Sequence, residues 1–234
     1  MLYRLFDLNI EIDEKFPQTR IRLSEYISKE KENADMIIRI TDREILAERE
    51  KDSENDNCYL EMICIFRHII EEITDFDGMF LHSAVVEKDN CGYMFTGISG
   101  AGKSTHAKGW LNYFGNSAKI VKGDKPILRF RKDGLWAYGS PWCGTEGYQV
   151  NTSVRLSAAC FIQKALKNRI VPMNNNEVFK CLLNQTVIPK KPERKIRYFE
   201  LMDRLIKEIP FYTLECDISD EAVITAYNKM KIRE

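Results

Sequence analysis

The sequence predicts an α/β fold in which a mixed, largely antiparallel sheet surrounds a phosphate-binding loop. Two observations carry this. First, Gly97-Ile98-Ser99-Gly100-Ala101-Gly102-Lys103-Ser104-Thr105 has the spacing G-x-x-x-x-G-K-S. It stands between the apolar run Tyr93-Met94-Phe95-Thr96 and a helix-like segment that Gly115 closes. Strand, glycine loop and helix in that order are the context this motif requires. Second, residues 79–87 read as a strand, and only Lys88-Asp89-Asn90-Cys91 separates them from the strand that feeds the loop. Such a short connection joins antiparallel neighbours, because a parallel crossover needs about a dozen residues or more. An all-parallel sheet is thereby excluded.

The other elements follow in order. In residues 7–13 apolar and polar side chains alternate, so Leu8, Ile10 and Ile12 face a core. A second strand centres on Met36-Ile37-Ile38. The polar run 51–57 reads as a solvated loop or a linker. Residues 59–74 form a helix with Leu60, Ile63, Phe66 or Arg67, Ile70 and Ile73 along one face, and His68 in it carries no chemistry. Beyond the phosphate-loop helix, residues 118–122 form a strand that ends in Gly123-Asp124-Lys125-Pro126. Residues 127–131 and 135–138 flank Asp133-Gly134 as a hairpin. A strand lies in 156–165, a helix in 177–183, a helix in 198–207 after the basic tract 190–197, a last strand in 211–216, and a closing helix starts at Ser219.

Bulk properties narrow the classes. The 234 residues, 44% of them hydrophobic, suffice for one large core or two small ones. Lys+Arg and Asp+Glu both number 35, so the net charge is zero and argues against a general nucleic-acid or membrane-surface binder. No apolar run approaches the ~20 residues of a membrane span, and the N-terminus does not read as a signal peptide. The 7 cysteines form no C-x-x-C pair, which points to buried thiols, a reducing cytoplasm and no zinc site.

The chemistry centres on the loop. Its glycines let successive N–H groups face a triphosphate, and the helix that follows adds its positive end. Gly97, Ser99, Gly100, Ala101 and Gly102 form the cradle. Lys103 serves the β- and γ-phosphates, Ser104 offers a hydroxyl to Mg²⁺, and Thr105 reaches the α-phosphate. Asp124 ends the first strand after the loop helix, a strand expected to run beside the loop strand. Three roles stand for Asp124: Mg²⁺ ligand, general base for a hydroxyl, or turn residue. His82, in mid-strand, is a site residue or a hydrogen-bonded core residue. His106 reads as a helix-surface residue or a neighbour of the nucleotide. Glu146 is a second candidate metal ligand, and Trp142 stacks on substrate or anchors its loop. The basic tract is a solvated approach to its helix or a docking surface for an acidic peptide.

Four segments, Leu81-His82-Ser83-Ala84-Val85, the phosphate loop, Gly123-Asp124-Lys125 and Gly139-Ser140-Pro141-Trp142, together resemble the HPr kinase/phosphorylase superfamily. The P-loop core of that superfamily is similar to that of phosphoenolpyruvate carboxykinase. The resemblance spans about residues 78–162. It implies a single domain over 1–234, with residues 1–77 packing on a nucleotide-binding core of 78–234. It also implies ATP and Mg²⁺ as cofactors, and Asp124 as the base that deprotonates an acceptor hydroxyl while His82 holds or polarises it. The acceptor is a serine of a peptide or small protein, or a small alcohol. Small members of this kind occur beside peptide-modification genes, which favours a peptide. Two departures matter. Lys125 stands where the family has a second, metal-helping aspartate, and the arginine-containing glycine signature of the bifunctional enzymes is missing around Glu146, which argues against phosphorylase activity. The competing class is a nucleotide-binding regulatory or scaffold protein without transfer. A homo-oligomer is compatible with either class.

Overall fold

The computed structural model describes residues 1–29, 33–51, 54–142 and 150–231. The chain divides into two compact units, Met1–Ile73 and Thr74–Glu234. The polar run 51–57 therefore lies inside the first unit rather than at the division.

In the first unit, β1 (Leu2–Leu5) and β2 (Leu8–Asp13) form a hairpin, and β3 (Met36–Arg39) adds to β2 in parallel. Leu8, Ile10 and Ile12 are buried, as their alternation predicts. Helices α1 (Pro17–Arg22), α2 (Asp42–Arg49) and α3 (Asn57–Glu72) complete the unit. The buried face of α3 is broader than its spacing suggests. Cys64, Ile65 and Ile69 are buried with Leu60 and Ile70, while Ile63 is only half-buried and Arg67 is exposed. Glu61 is fully buried on that helix, and its carboxylate accepts from Lys15 N (2.6 Å), Phe16 N (3.3 Å) and Thr19 Oγ1 (2.5 Å). An acid tolerated in this core thus satisfies N–H groups at the start of α1.

The second unit contains β4 (Gly78–Phe80), β5 (Ser83–Lys88), β6 (Cys91–Thr96), α4 (Lys103–Phe114), β7 (Ala118–Lys122), β8 (Ile127–Arg131) and β9 (Gly134–Tyr138). It continues with β10 (Ser153–Lys164), β11 (Arg169–Pro172), α5 (Asn175–Leu183), α6 (Pro192–Glu208), β12 (Phe211–Cys216) and α7 (Asp220–Met230). Among the described residues the strands form one sheet in the order β4-β8-β9-β10-β6-β5-β7, with β12 on β10 and β11 on β12. Only the pairs β10–β6 and β10–β12 are parallel, so the sheet is mixed and largely antiparallel. β10 is the spine. It pairs with β9 near its start, with β12 near its end, and with β6 along its other edge.

Period-two alternation sends side chains to two cores. Tyr93, Phe95, Ala158, Cys160 and Ile162 lie on one side, where Trp110 of α4 and Val223, Ala226 and Met230 of α7 cover them. Val85, Met94, Ala159 and Phe161 lie on the other, under Val178 and Leu182 of α5 and Leu201, Met202 and Leu205 of α6. The described cysteines are all free thiols, buried or half-buried.

The β5–β6 hairpin forms as expected, with Ser83 opposite Thr96 and Lys88 opposite Cys91. Three expectations need correction. Residues 79–87 are not one strand: Leu81 and His82 form a break between β4 and β5. β4 departs to pair with β8, and the break is held by His82 N donating to Gln185 O (2.7 Å) and Thr186 Oγ1 donating to Phe80 O (2.7 Å). β7 does not lie beside β6. Both edges of β6 are taken, by β5 and β10, so β7 adds outside β5. Finally, α6 begins inside the basic tract, because Pro192 is well suited to the first helical position. The short strand β11 carries little signal in the sequence, since its half-exposed pair Ile170-Val171 gives little pattern.

Candidate functional site

The glycine loop of residues 97–102 runs from the end of β6 into α4. Gly97 has φ +143°, and a Cβ there would meet Ile162 O at 3.1 Å, so the chain can leave the sheet beside β10 only as glycine. Gly102, at φ +104°, turns the chain into α4 at the helix N-cap. Ala101 N donates to Ile98 O (3.1 Å), while Ser99 and Gly100 lie exposed at the tip. Lys103 is buried against its own loop, its Nζ donating to Gly97 O (2.9 Å) and Ile98 O (3.2 Å). Burial lowers the Lys103 pKa, against the opposing pull of the Asp124 carboxylate. Ser104 is half-buried at the start of α4, and Thr105 is exposed beside it.

Register brings the second half of the site to this loop. Ser83 pairs with Thr96 and Val85 with Lys122, so the start of β5, the end of β6 and the end of β7 lie side by side. The chain continues from Lys122 through Gly123 to Asp124, whose Oδ1 lies 3.3 Å from His82 Nε2. Thr96 Oγ1 donates to His82 O (2.9 Å), so the residue before the loop braces the histidine. Asp124 thus reaches the loop with β5 interposed, and His82 lies in the gap between strands rather than within one.

Cations surround this carboxylate. Lys125, with a left-handed backbone at φ 56°, holds its Nζ 3.8 Å from Asp124 Oδ2. Lys122 is fully buried and donates to Ser140 O (2.7 Å). Burial opposes ionisation of Asp124, but His82, Lys125 and Lys122 outweigh it and hold the carboxyl below its ordinary value. One carboxylate and a hydroxyl beside a phosphate loop suit Mg²⁺, which takes one or two carboxylates and completes its shell with phosphate and water. Glu146 lies outside the described residues, and among those residues no cluster of three acidic, histidine or cysteine ligands occurs.

Two aromatic candidates are buried, Trp142 among them. His106 is not on the helix surface, although it contributes to the lining of the cavity described below. It is buried under Phe95, with ring centroids 4.7 Å apart, and its Nε2 accepts from Trp110 Nε1 (3.1 Å). Burial depresses its pKa to about 4, below the ordinary value of 6.5. Between these values the unfolded chain binds the proton and the folded chain does not. This residue's contribution is therefore intact above the unfolded value and lost as pH falls toward the folded one, by up to about 3 kcal/mol. Denaturant unfolding from pH 7 to pH 4 should show the loss, and His106→Gln, which keeps an acceptor but does not titrate, should remove that part of it.

A cavity of about 740 Å³ joins these parts, within the size range of small-molecule sites. It runs from His82 and Asp124, over the loop and Thr105, to Ile218 and Val223. The loop, Asp124 and His82 were legible in the sequence. Thr96 and Lys122 were not, although a lysine at the end of the apolar strand Ile120-Val121-Lys122 was a usable signal.

Residues 45–222 match the family model described as SynChlorMet cassette protein ScmC. The chain belongs to this family. No curated protein matches it. Among solved structures, the ScmC-family chain is similar to the Hpr(Ser) kinase/phosphatase from Coxiella burnetii at 11% identity and a TM-score of 0.34, over 63% of this chain and 91% of that one. A similarity of that size carries no inference about activity. No described helix of this ScmC-family protein is long and apolar enough to cross a membrane.

Proposed function

We propose that this protein transfers the γ-phosphate of ATP to a hydroxyl group, on a serine of a peptide or small protein or on a small alcohol. The observation that carries the reading is the pairing of the phosphate loop with the Asp124–His82 couple across one cavity. The cradle of residues 97–105 binds the triphosphate through its N–H groups, and Lys103 exchanges its loop carbonyls for phosphate oxygens. Ser104 is the group that would hold Mg²⁺, which would supply charge neutralisation to the β- and γ-phosphates. The acceptor oxygen forms a bond to the γ-phosphorus while the bond to the β-phosphate bridging oxygen breaks and ADP leaves with the electron pair. Asp124 takes the acceptor's proton, and His82 orients Asp124. A carboxyl held below its ordinary value is a weak base, so this proton moves late, once the attacking oxygen already carries bonding to phosphorus.

One observation favours a second reading. Lys125 lies against Asp124, in the position from which a second acid would assist a metal. A protein that binds nucleotide and regulates or scaffolds, without transfer, is compatible with that pairing. A labelled γ-phosphate assay separates the two. The family's description as a cassette protein directs the acceptor search to products encoded beside it. Label appearing on such a peptide, protein or alcohol is the expected result. Nucleotide binding with no label on any of them favours the second reading.

A further inference from the structure

The end of the cavity away from Asp124 has a composition of its own. Three short segments meet there: the chain after β10, the corner between β12 and α7, and the outer face of α4 at Thr105 and Gly109. Ile218 lines this end yet is 89% exposed, and Leu166, next to the lining residue Ala165, is 97% exposed. These side chains are not loosely displayed. Ala165 N donates to Cys216 O (3.0 Å), and Asp217 N donates to Asn168 Oδ1 (3.0 Å). Asn168 Nδ2 in turn reaches Ser219 Oγ (3.3 Å) and Glu221 Oε2 (3.2 Å). The corner is thus fastened to the neighbouring turn, and it sets Ile218 at the wall of the cavity.

The floor between the helices is equally specific. A Cβ at Gly109 would approach Val223 Cγ2 to 3.2 Å, so α4 and α7 come close there and a side chain on α4 would crowd the approach. The adjoining polar groups are already engaged with one another: Asp217 Oδ1 accepts from Ser219 N (2.9 Å) and Ser219 Oγ (2.6 Å).

Resting on the phosphate-loop reading of the previous section, we infer that this corner is the nucleoside subsite and takes the base of the nucleotide against Ile218, Ala165 and the Gly109–Val223 floor. Direction follows from the loop. With the γ-phosphate toward Asp124 and the α-phosphate at Thr105, the ribose and base continue along the outer face of α4 to this wall. The wall sets Ile218 and Ala165 beside the exposed Lys164, and one oxygen of its Asp217 carboxylate already accepts from Ser219, so covered apolar area contributes much of the hold on the base. The corner is pre-organised, so little ordering opposes binding.

The test titrates full-length wild type, Ile218→Ser and Lys103→Ala with Mg·ATP, Mg·GTP and Mg·tripolyphosphate. Ile218 is so exposed that its replacement leaves folding intact. Loss of its covered area should weaken ATP about tenfold. Tripolyphosphate, which has no nucleoside, should bind Ile218→Ser as it binds wild type, and GTP should lie within about tenfold of ATP, as an unselective wall requires. Lys103→Ala should weaken all three. Equal ATP affinity in wild type and Ile218→Ser, or tripolyphosphate binding wild type as tightly as ATP, overturns the subsite and leaves the loop reading standing. Binding of none of the three by wild type overturns both.

Discussion

Asp124→Asn is expected to cut phosphate transfer by about 10²–10⁴-fold while Mg·ATP still binds. Asparagine keeps the size and the reach toward His82 but cannot take a proton at neutral pH. The folded-state carboxyl is held below its ordinary value by His82, Lys125 and Lys122 against the effect of burial. It is therefore ionised in wild type across the neutral range, and the substitution removes a real negative charge. That charge also restrains Lys103, Lys122 and Lys125, so the variant site becomes more cationic, which favours a polyphosphate rather than opposing it. Retained or tightened nucleotide binding with lost transfer is the signature of the base. Lost Mg²⁺-dependent affinity would identify Asp124 as mainly a metal ligand. Undiminished transfer would remove the general-base role altogether.

Lys103→Ala should weaken Mg·ATP by about a hundredfold or more, since charge-assisted hydrogen bonds contribute about 1.5–3 kcal/mol each and Lys103 supplies more than one. The ammonium no longer meets phosphate oxygens, and its bonds to Gly97 O and Ile98 O in the free loop are ones that nucleotide binding replaces. Lys103 is buried by its loop and not within either apolar core, so thermal unfolding of the variant should stay close to that of wild type. A variant that melts far below wild type would mean that the lysine is chiefly a structural brace.

The parts of the fold legible in the sequence were those set by local chemistry. The glycine spacing, the Asp-Gly turn and the four-residue interval before β6 each fix the backbone over a few residues, and the loop, the β8–β9 hairpin and the β5–β6 hairpin all formed. What failed was set by distant partners. His82 read as mid-strand because Leu81 and Ser83 look like a strand, but hydrogen bonds from Thr96 and to Gln185 O hold it in a break. β7 read as the neighbour of β6 because crossovers commonly return beside their start, but the hairpin had already taken that edge. His106 read as a helix-surface residue or a neighbour of the nucleotide because a polar residue after Ser104-Thr105 carries no local sign of burial, and its packing with Phe95 and Trp110 comes from tertiary contacts. The site itself divides in the same way. Its glycine-loop half is a contiguous motif, whereas the far end of the cavity is assembled from three segments far apart in sequence.

A calorimetric titration of Mg·ATP into wild type and Lys103→Ala side by side tests nucleotide binding at the loop most directly. Saturable binding at one site in wild type and a loss of about a hundredfold or more in the variant are expected. Equal affinity in the two proteins, or no binding by wild type, would contradict nucleotide binding at the loop.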